Sequence, residues 1–271
     1  MLIVIGAILF FIIGLVLSLI GSGGAILTIP VLVYIFDIDP YLATSYSMFI
    51  MGASNWIATI DNIKKSLILY RPGLFFSVPG LIITYFTRRF VLPYIPDILF
   101  KNELFFFTKS NAIMLVFTIL MFIAAIKSLR GKDATNNVLP INFNYKLLAT
   151  YGAAVGLVTG FVGAGGGFLI IPAFVFIFKT PMIHAIATSI FIIAINTSLG
   201  FIGDLNPTIS INWPFLVFLM GSSISGVILA NKLKHRLSNE FLRNFFGLVI
   251  FFLAIFVSIN ELYKLYKQIQ F

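Results

Sequence analysis

The chain contains no cysteine. That excludes disulfide staples, thiol catalysis and cysteine-ligated metal sites. Charged residues make up only 10% of the sequence, against roughly a quarter in a soluble domain. Histidine occurs only at His184 and His235, too far apart for metal-ligand spacing. No Ser-His-Asp set, no hydrolytic carboxylate pair and no Walker-type phosphate loop is present. Catalysis, nucleotide-driven work, a bound metal and a cofactor are therefore not expected.

What is present is apolar. Hydrophobic residues make up 60% of the 271 positions, and the mean hydropathy is +1.06. A soluble fold of this size could not hide that much apolar surface, so lipid must cover the remainder. The net charge of +9 would suggest nucleic acid in a soluble protein. Here Lys and Arg sit between apolar runs, where they act as orientation signals, and no nucleic-acid partner is expected. Met1 to Leu17 has neither a basic leader nor a small-residue cleavage site, and is expected to be a retained membrane segment.

Eight runs approach the roughly 20 helical residues that span hydrocarbon. They lie near 2–20, 41–60, 72–90, 110–128, 146–163, 185–203, 213–231 and 241–262. They are continuous rather than alternating, so helices are expected and strands are not. Two shorter runs, 25–36 and 167–178, each follow a glycine-rich turn, Gly21-Ser22-Gly23-Gly24 and Gly163-Ala164-Gly165-Gly166-Gly167. Twelve residues reach only about 18 Å. The pattern predicts a bent pair in each half: a long helix, a tight turn at membrane depth, and a short returning helix.

The halves repeat. Gly14-Leu15-Val16 recurs as Gly156-Leu157-Val158, Pro30 as Pro172 and Pro72 as Pro214, all 142 residues apart. Ala43-Thr44-Ser45 recurs as Ala187-Thr188-Ser189 at an offset of 144. The expected fold is an all-α integral membrane protein of about 8–10 membrane helices. Each half, 1–128 and 146–271, supplies a bent pair and three spanning helices, and a polar cytoplasmic linker, 129–145, joins them. The interruption from Val91 to Lys109 reads as a surface loop with a short interfacial helix.

If each bent pair begins and ends on one side and the N-terminus is outside, only Arg88, Arg89, Lys101, Lys109, Lys264 and Lys267 of the 18 cations are external. If the short arms do not cross, the cations split evenly. The positive-inside rule favours the first arrangement. It makes the two repeats inverted, an architecture of secondary transporters. It also puts Asp37, Asp39 and Asp204 outside.

Irregular backbone at membrane depth is tolerated only inside protein or along a cavity. Broken helices present free N–H groups there. The paired turns are therefore candidates for holding an anion, through Ser22, Gly23 and Gly24 and through Gly163, Gly165, Gly166 and Gly167. Close helix packing is the plainer reading. Thr44, Ser45, Thr188 and Ser189 could donate to the same anion or cap helix starts. Mid-span Ser54, Asn55, Asn196, Thr197 and Ser198 need partners in hydrocarbon, and Asn196 is the candidate to face a substrate path. No ionisable residue lies in the middle of a run, so no buried charge relay is visible. Asp61, Asp204 and His184, at run ends, are candidates for proton coupling.

The series Gly-Leu-Val, glycine-rich turn, Ile-Pro, Ala-Thr-Ser, once from Gly14 to Ser45 and again from Gly156 to Ser189, resembles the sulfite exporter TauE/SafE family of membrane anion permeases. The resemblance covers essentially the whole chain. It implies a multi-pass permease of the bacterial cytoplasmic membrane for sulfite, sulfonates or related small anions, with a proton or other ion as a possible coupling partner. The first half departs from the fuller glycine motif, since Ser22 and Ala25 stand opposite Ala164 and Gly167. An anion channel or a non-transporting membrane component is the alternative.

Overall fold

The computed structural model describes residues 2–21, 23–101, 106–130, 143–163, 165–205, 211–233 and 239–270. Among them are ten α-helices: α1 Leu2–Ile20, α2 Gly23–Tyr34, α3 Pro40–Lys64, α4 Tyr70–Phe86, α5 Lys109–Arg130, α6 Tyr145–Val162, α7 Gly167–Pro172, α8 Met182–Asp204, α9 Trp213–Leu233 and α10 Asn239–Gln270. The protein is an all-α membrane protein. Seven of these helices are long and apolar enough to cross a bilayer. Large apolar side chains such as Ile3, Ile82, Phe86, Phe252 and Leu262 stand exposed on its outer face, as contact with lipid requires.

At 25 residues, α3 spans about 37 Å but is not among those seven. Its sequence is more polar, and those polar side chains turn into the protein. Thr44, Ser45, Ser47, Ser54, Asn55, Thr59 and Asn62 are all buried. Asp39 caps its start, accepting from the N–H groups of Tyr41 at 2.9 Å and Leu42 at 3.4 Å, and Pro40 opens it.

Contacts between helices fix their directions. Ser45 meets Asp204, Phe49 meets Phe201 and Gly52 lies beside Ser198, so α3 and α8 are antiparallel. Gly73 adjoins Thr188, Gly80 adjoins Asn196 and Arg88 meets Asp204, so α4 runs with α8. By the same reasoning α6 runs with α4, through Gly152 beside Phe76 and Gly160 beside Thr87. Phe49 with Trp213 and Ser54 with Ser223 align α9 with α3. Gly6 beside Leu219 and Ser18 with Asn231 align α1 with α9. Thus α1, α3 and α9 point one way, and α4, α6 and α8 the other. Two equally directed helices joined through a short one require that α2 and α7 both run back, as the glycine-rich turns predict.

Pairings also come in exchanged sets. α1 packs on α9 as α6 packs on α4, α3 on α9 as α8 on α4, and α5 lies along α10. The two intimate pairs rest on glycine. A Cβ on Gly14 would fall 1.9 Å from the Ser223 carbonyl oxygen, and one on Gly156 would fall 2.2 Å from that of Gly80, so a bare backbone is required at each crossing.

The segment from Val91 to Lys109 departs from expectation. A π turn over Thr87–Val91 and a short 3₁₀ turn over Leu92–Tyr94 prolong α4. An antiparallel hairpin follows, β1 Ile98–Lys101 paired with β2 Phe106–Thr108. Pro93 and Pro96 stop the helix. The β-favouring Ile98, Phe100, Phe106 and Phe107 then pair as strands instead of forming an interfacial helix.

Candidate functional site

Each glycine-rich turn abuts the Thr-Ser pair of the other half. Gly163 closes α6 in the left-handed region, at φ +71°. A Cβ there would sit 2.3 Å from Cβ of Thr44. Gly21, at φ +81°, lies against Ile186 and Ile171, and its carbonyl accepts from Ser189 Oγ at 3.4 Å. The hydroxyls do not cap the starts of their helices. Asp39 caps α3, and Pro181 precedes α8.

The turns do not form one cradle. Ser189 marks the level of Gly21 on α8, and Asp204 marks the level of Gly163. These positions are fifteen residues apart, about 22 Å along a helix. Gly165 reaches partway back, against Ile193 and Thr197, and Gly166 turns onto Thr159 and Val155 of α6. Gly167 opens α7. In the first turn Gly23 opens α2, and Gly24 packs on Leu17 and Ile13. Ser22 lies outside the described residues, as do 131–142 of the linker.

The outer-facing cluster, on the sequence's orientation, contains what the sequence reading did not anticipate. Arg88, on the π turn that prolongs α4, is completely buried and pairs with Asp204 at the end of α8. Arg88 Nε donates to both carboxylate oxygens, at 2.8 and 2.9 Å. Nη1 donates to Thr44 Oγ1 at 2.9 Å and to the Gly160 carbonyl at 3.2 Å. Nη2 donates to Ser45 Oγ at 3.0 Å and also to Asp204 Oδ2. The Ser45 hydroxyl in turn donates to Asp204 Oδ2 at 2.5 Å. The reading that no buried charge relay is visible is thus corrected. Arg88 and Asp204 each end an apolar run and so look solvated, yet Arg88 continues the buried Gly73, Ser77, Gly80 and Thr84 stripe of α4 at helical spacing. The sequence signals were that spacing and the placing of both run ends on the same predicted side.

Above this cluster the Tyr41 ring lies between two cations, 5.9 Å from the Arg88 guanidinium carbon and 4.8 Å from Lys109 Nζ. Lys109 pairs with Asp97 at 3.1 Å, and Ser110 donates to Asp39 at 2.8 Å. Together with Ile98 and Thr108, these residues line a cavity of about 490 Å³.

The opposite cluster holds no ion pair among the described residues. Thr188 Oγ1 accepts from the Leu69 N–H at 3.0 Å, Ser189 donates to Ile186 O at 2.9 Å, and His184 Nδ1 lies 2.9 Å from Leu67 O. Asp61 pairs with Lys65 at a half-exposed helix end. Between the clusters, Asn196 is fully buried, and neither its amide nitrogen nor its amide oxygen has a hydrogen-bond partner. It faces the Gly80 crossing of α4, where a Cβ would come within 3.3 Å of Nδ2. Asn55, on α3, also leaves its Oδ1 unpartnered. Unsatisfied polar atoms so deep are costly unless something binds them.

A family model described as "Sulfite exporter TauE/SafE" matches residues 6–257. Among curated relatives, a "Probable membrane transporter protein" of Xylella fastidiosa is 26% identical over 253 residues, covering 90% of each chain. "Probable membrane transporter protein YunE" of Bacillus subtilis is 26% identical over 259 residues, covering 84% of this chain and 86% of its own. A third, MJ0441 of Methanocaldococcus jannaschii, is 26% identical and covers 70% of this chain and 67% of its own. No solved structure matches.

Proposed function

Because the chain belongs to the TauE/SafE sulfite exporter family, we propose that this membrane transporter is a secondary carrier of a small anion, such as sulfite, a sulfonate or a related organic anion, in the bacterial cytoplasmic membrane. Residues 1–128 and 146–271 act as inverted repeats that rock about the crossing of α3 and α8, with 129–145 as the cytoplasmic linker. The opposed directions of equivalent helices and the exchanged pairings of α1 with α9 and of α6 with α4 support that symmetry.

The observation that carries the anion reading is a guanidinium buried to 0% exposure among Thr44, Ser45 and the Gly163 turn. A charge at that depth is rare outside functional pathways, and its fork geometry suits oxyanions. In this reading the substrate passes from Arg88, Thr44, Ser45 and the second turn (Gly163, Gly165, Gly166, Gly167), along Asn196, to Thr188, Ser189 and the first turn (Ser22, Gly23, Gly24). Residue numbers on α8 set the order of these steps. Rocking opens this path to one side of the membrane at a time.

Proteoliposomes loaded with labelled sulfite or methanesulfonate test this. Saturable flux is expected. Its rate is bounded by domain motion on the μs–ms scale, hence below roughly 10⁶ per second. Flux for neither anion, from folded protein, refutes the carrier. Non-saturating flux far above that ceiling assigns a channel instead.

A further inference from the structure

The carboxylate of Asp204 sits in a ready-made oxyanion cradle. Two nitrogens of Arg88 and the hydroxyl of Ser45 all donate to it. A sulfonate or sulfite oxygen pair would ask for the same donors. Asp204 is 2% exposed, and its partner is enclosed by Thr44 and the Gly160 carbonyl. The device is one-sided. At the repeat offsets of 142 and 144, Ala230 stands opposite Arg88 and Ile60 opposite Asp204. The fold therefore does not need an ion pair at this level to join the equivalent helices. A buried pair is also a poor stabiliser compared with apolar packing.

The approach to the cradle is built as well. Tyr41 lines the 490 Å³ cavity, and the Arg88 guanidinium carbon lies 5.9 Å from the centre of its ring. The charged and titratable groups around the pair are Tyr41 from α3, with Asp39 at the start of that helix and Lys109 from α5 beside its ring, and Tyr85 from α4 beside Gly203. From α6 the pair meets the Gly160 carbonyl.

Building on the transport reading above, we propose that Asp204 is a tethered anion that holds the passenger's place, and that its protonation hands the Arg88 cradle to the passenger. The proton comes from water in the outer cavity and forms the Asp204 carboxylic acid. Arg88 keeps its charge, now balanced by the incoming monoanion. When the anion has left on the far side, the Asp204 proton leaves by the same opened path and Asp204 takes Arg88 back. One proton therefore accompanies one monoanion, and the cycle moves no net charge.

The test uses reconstituted full-length protein and methanesulfonate, which stays ionised across the range from pH 5 to 8. Sulfite serves as a second probe, and internal pH and imposed membrane potential are recorded. In the wild type, methanesulfonate entry should acidify the lumen, ignore the imposed potential, and slow as the external pH rises from 5 to 8. Asp204→Asn should move the anion without protons, respond to potential, and lose the pH dependence. Absence of wild-type flux for both probes sinks the transport reading and this proposal together. Flux without accompanying protons overturns this proposal alone. So does proton movement that persists in Asp204→Asn. The wild-type arm, protons counted against anions, decides the matter should Asp204→Asn fail to fold.

Discussion

The Arg88–Asp204 pair makes a sharp energetic prediction. Consider Arg88→Met, Asp204→Leu and the double variant. Arg88→Met leaves the Asp204 carboxylate, 2% exposed, with only the Ser45 hydroxyl as donor. Asp204→Leu leaves the guanidinium with the neutral oxygens of Thr44, Ser45 and Gly160 and no counter-charge. Stranding one member of a buried pair costs about 3–5 kcal/mol, whereas replacing both with apolar side chains is near neutral or stabilising. Each single variant should lose that amount, and the double should return to within about 1 kcal/mol of wild type. The coupling energy is then at least ~5 kcal/mol, well above that of independent sites. Equilibrium unfolding in mixed micelles, followed by tryptophan emission, reads this directly. The two tryptophans, Trp56 and Trp213, contact Ser198, Phe49 and Phe201 on the central helices. The double variant should nonetheless lose transport. Single losses that simply sum in the double would show that the two charges do not depend on each other.

Other outcomes follow from named contacts. Gly163→Ala places a Cβ 2.3 Å from Cβ of Thr44 in a left-handed backbone, and should destabilise by about 2–5 kcal/mol from strain plus overpacking, measured as a lower Tm in detergent. Asn196→Leu removes two unpartnered polar atoms. It should raise stability by about 1–3 kcal/mol while flux falls at least about tenfold, a trade expected of a residue kept for function. A variant that both stabilises and transports normally would remove Asn196 from the path. Thr188→Ala strips the Leu69 N–H of its acceptor and should cost about 1–2 kcal/mol, visible as faster amide exchange at Leu69. Gly156→Val drives a side chain into the Gly80 carbonyl and should separate α4 from α6, giving unfolded or inactive protein in the flux assay.

Composition and the spacing of apolar runs determined a multi-helix membrane protein, because hydrocarbon permits little else of that length and hydropathy. Glycine-rich stretches before two short runs determined that each arm turns back, because only such residues supply left-handed corners like Gly21 and Gly163. The repeated Ala-Thr-Ser and glycine motifs marked the residues that meet, but not which meets which. Tertiary structure alone decided that each turn rests on the other half's Thr-Ser pair and that the two turns lie near opposite ends of α8. It also decided that Arg88 faces inward to Asp204. A charge at the end of an apolar run reads the same whether it meets water or a partner 116 residues away.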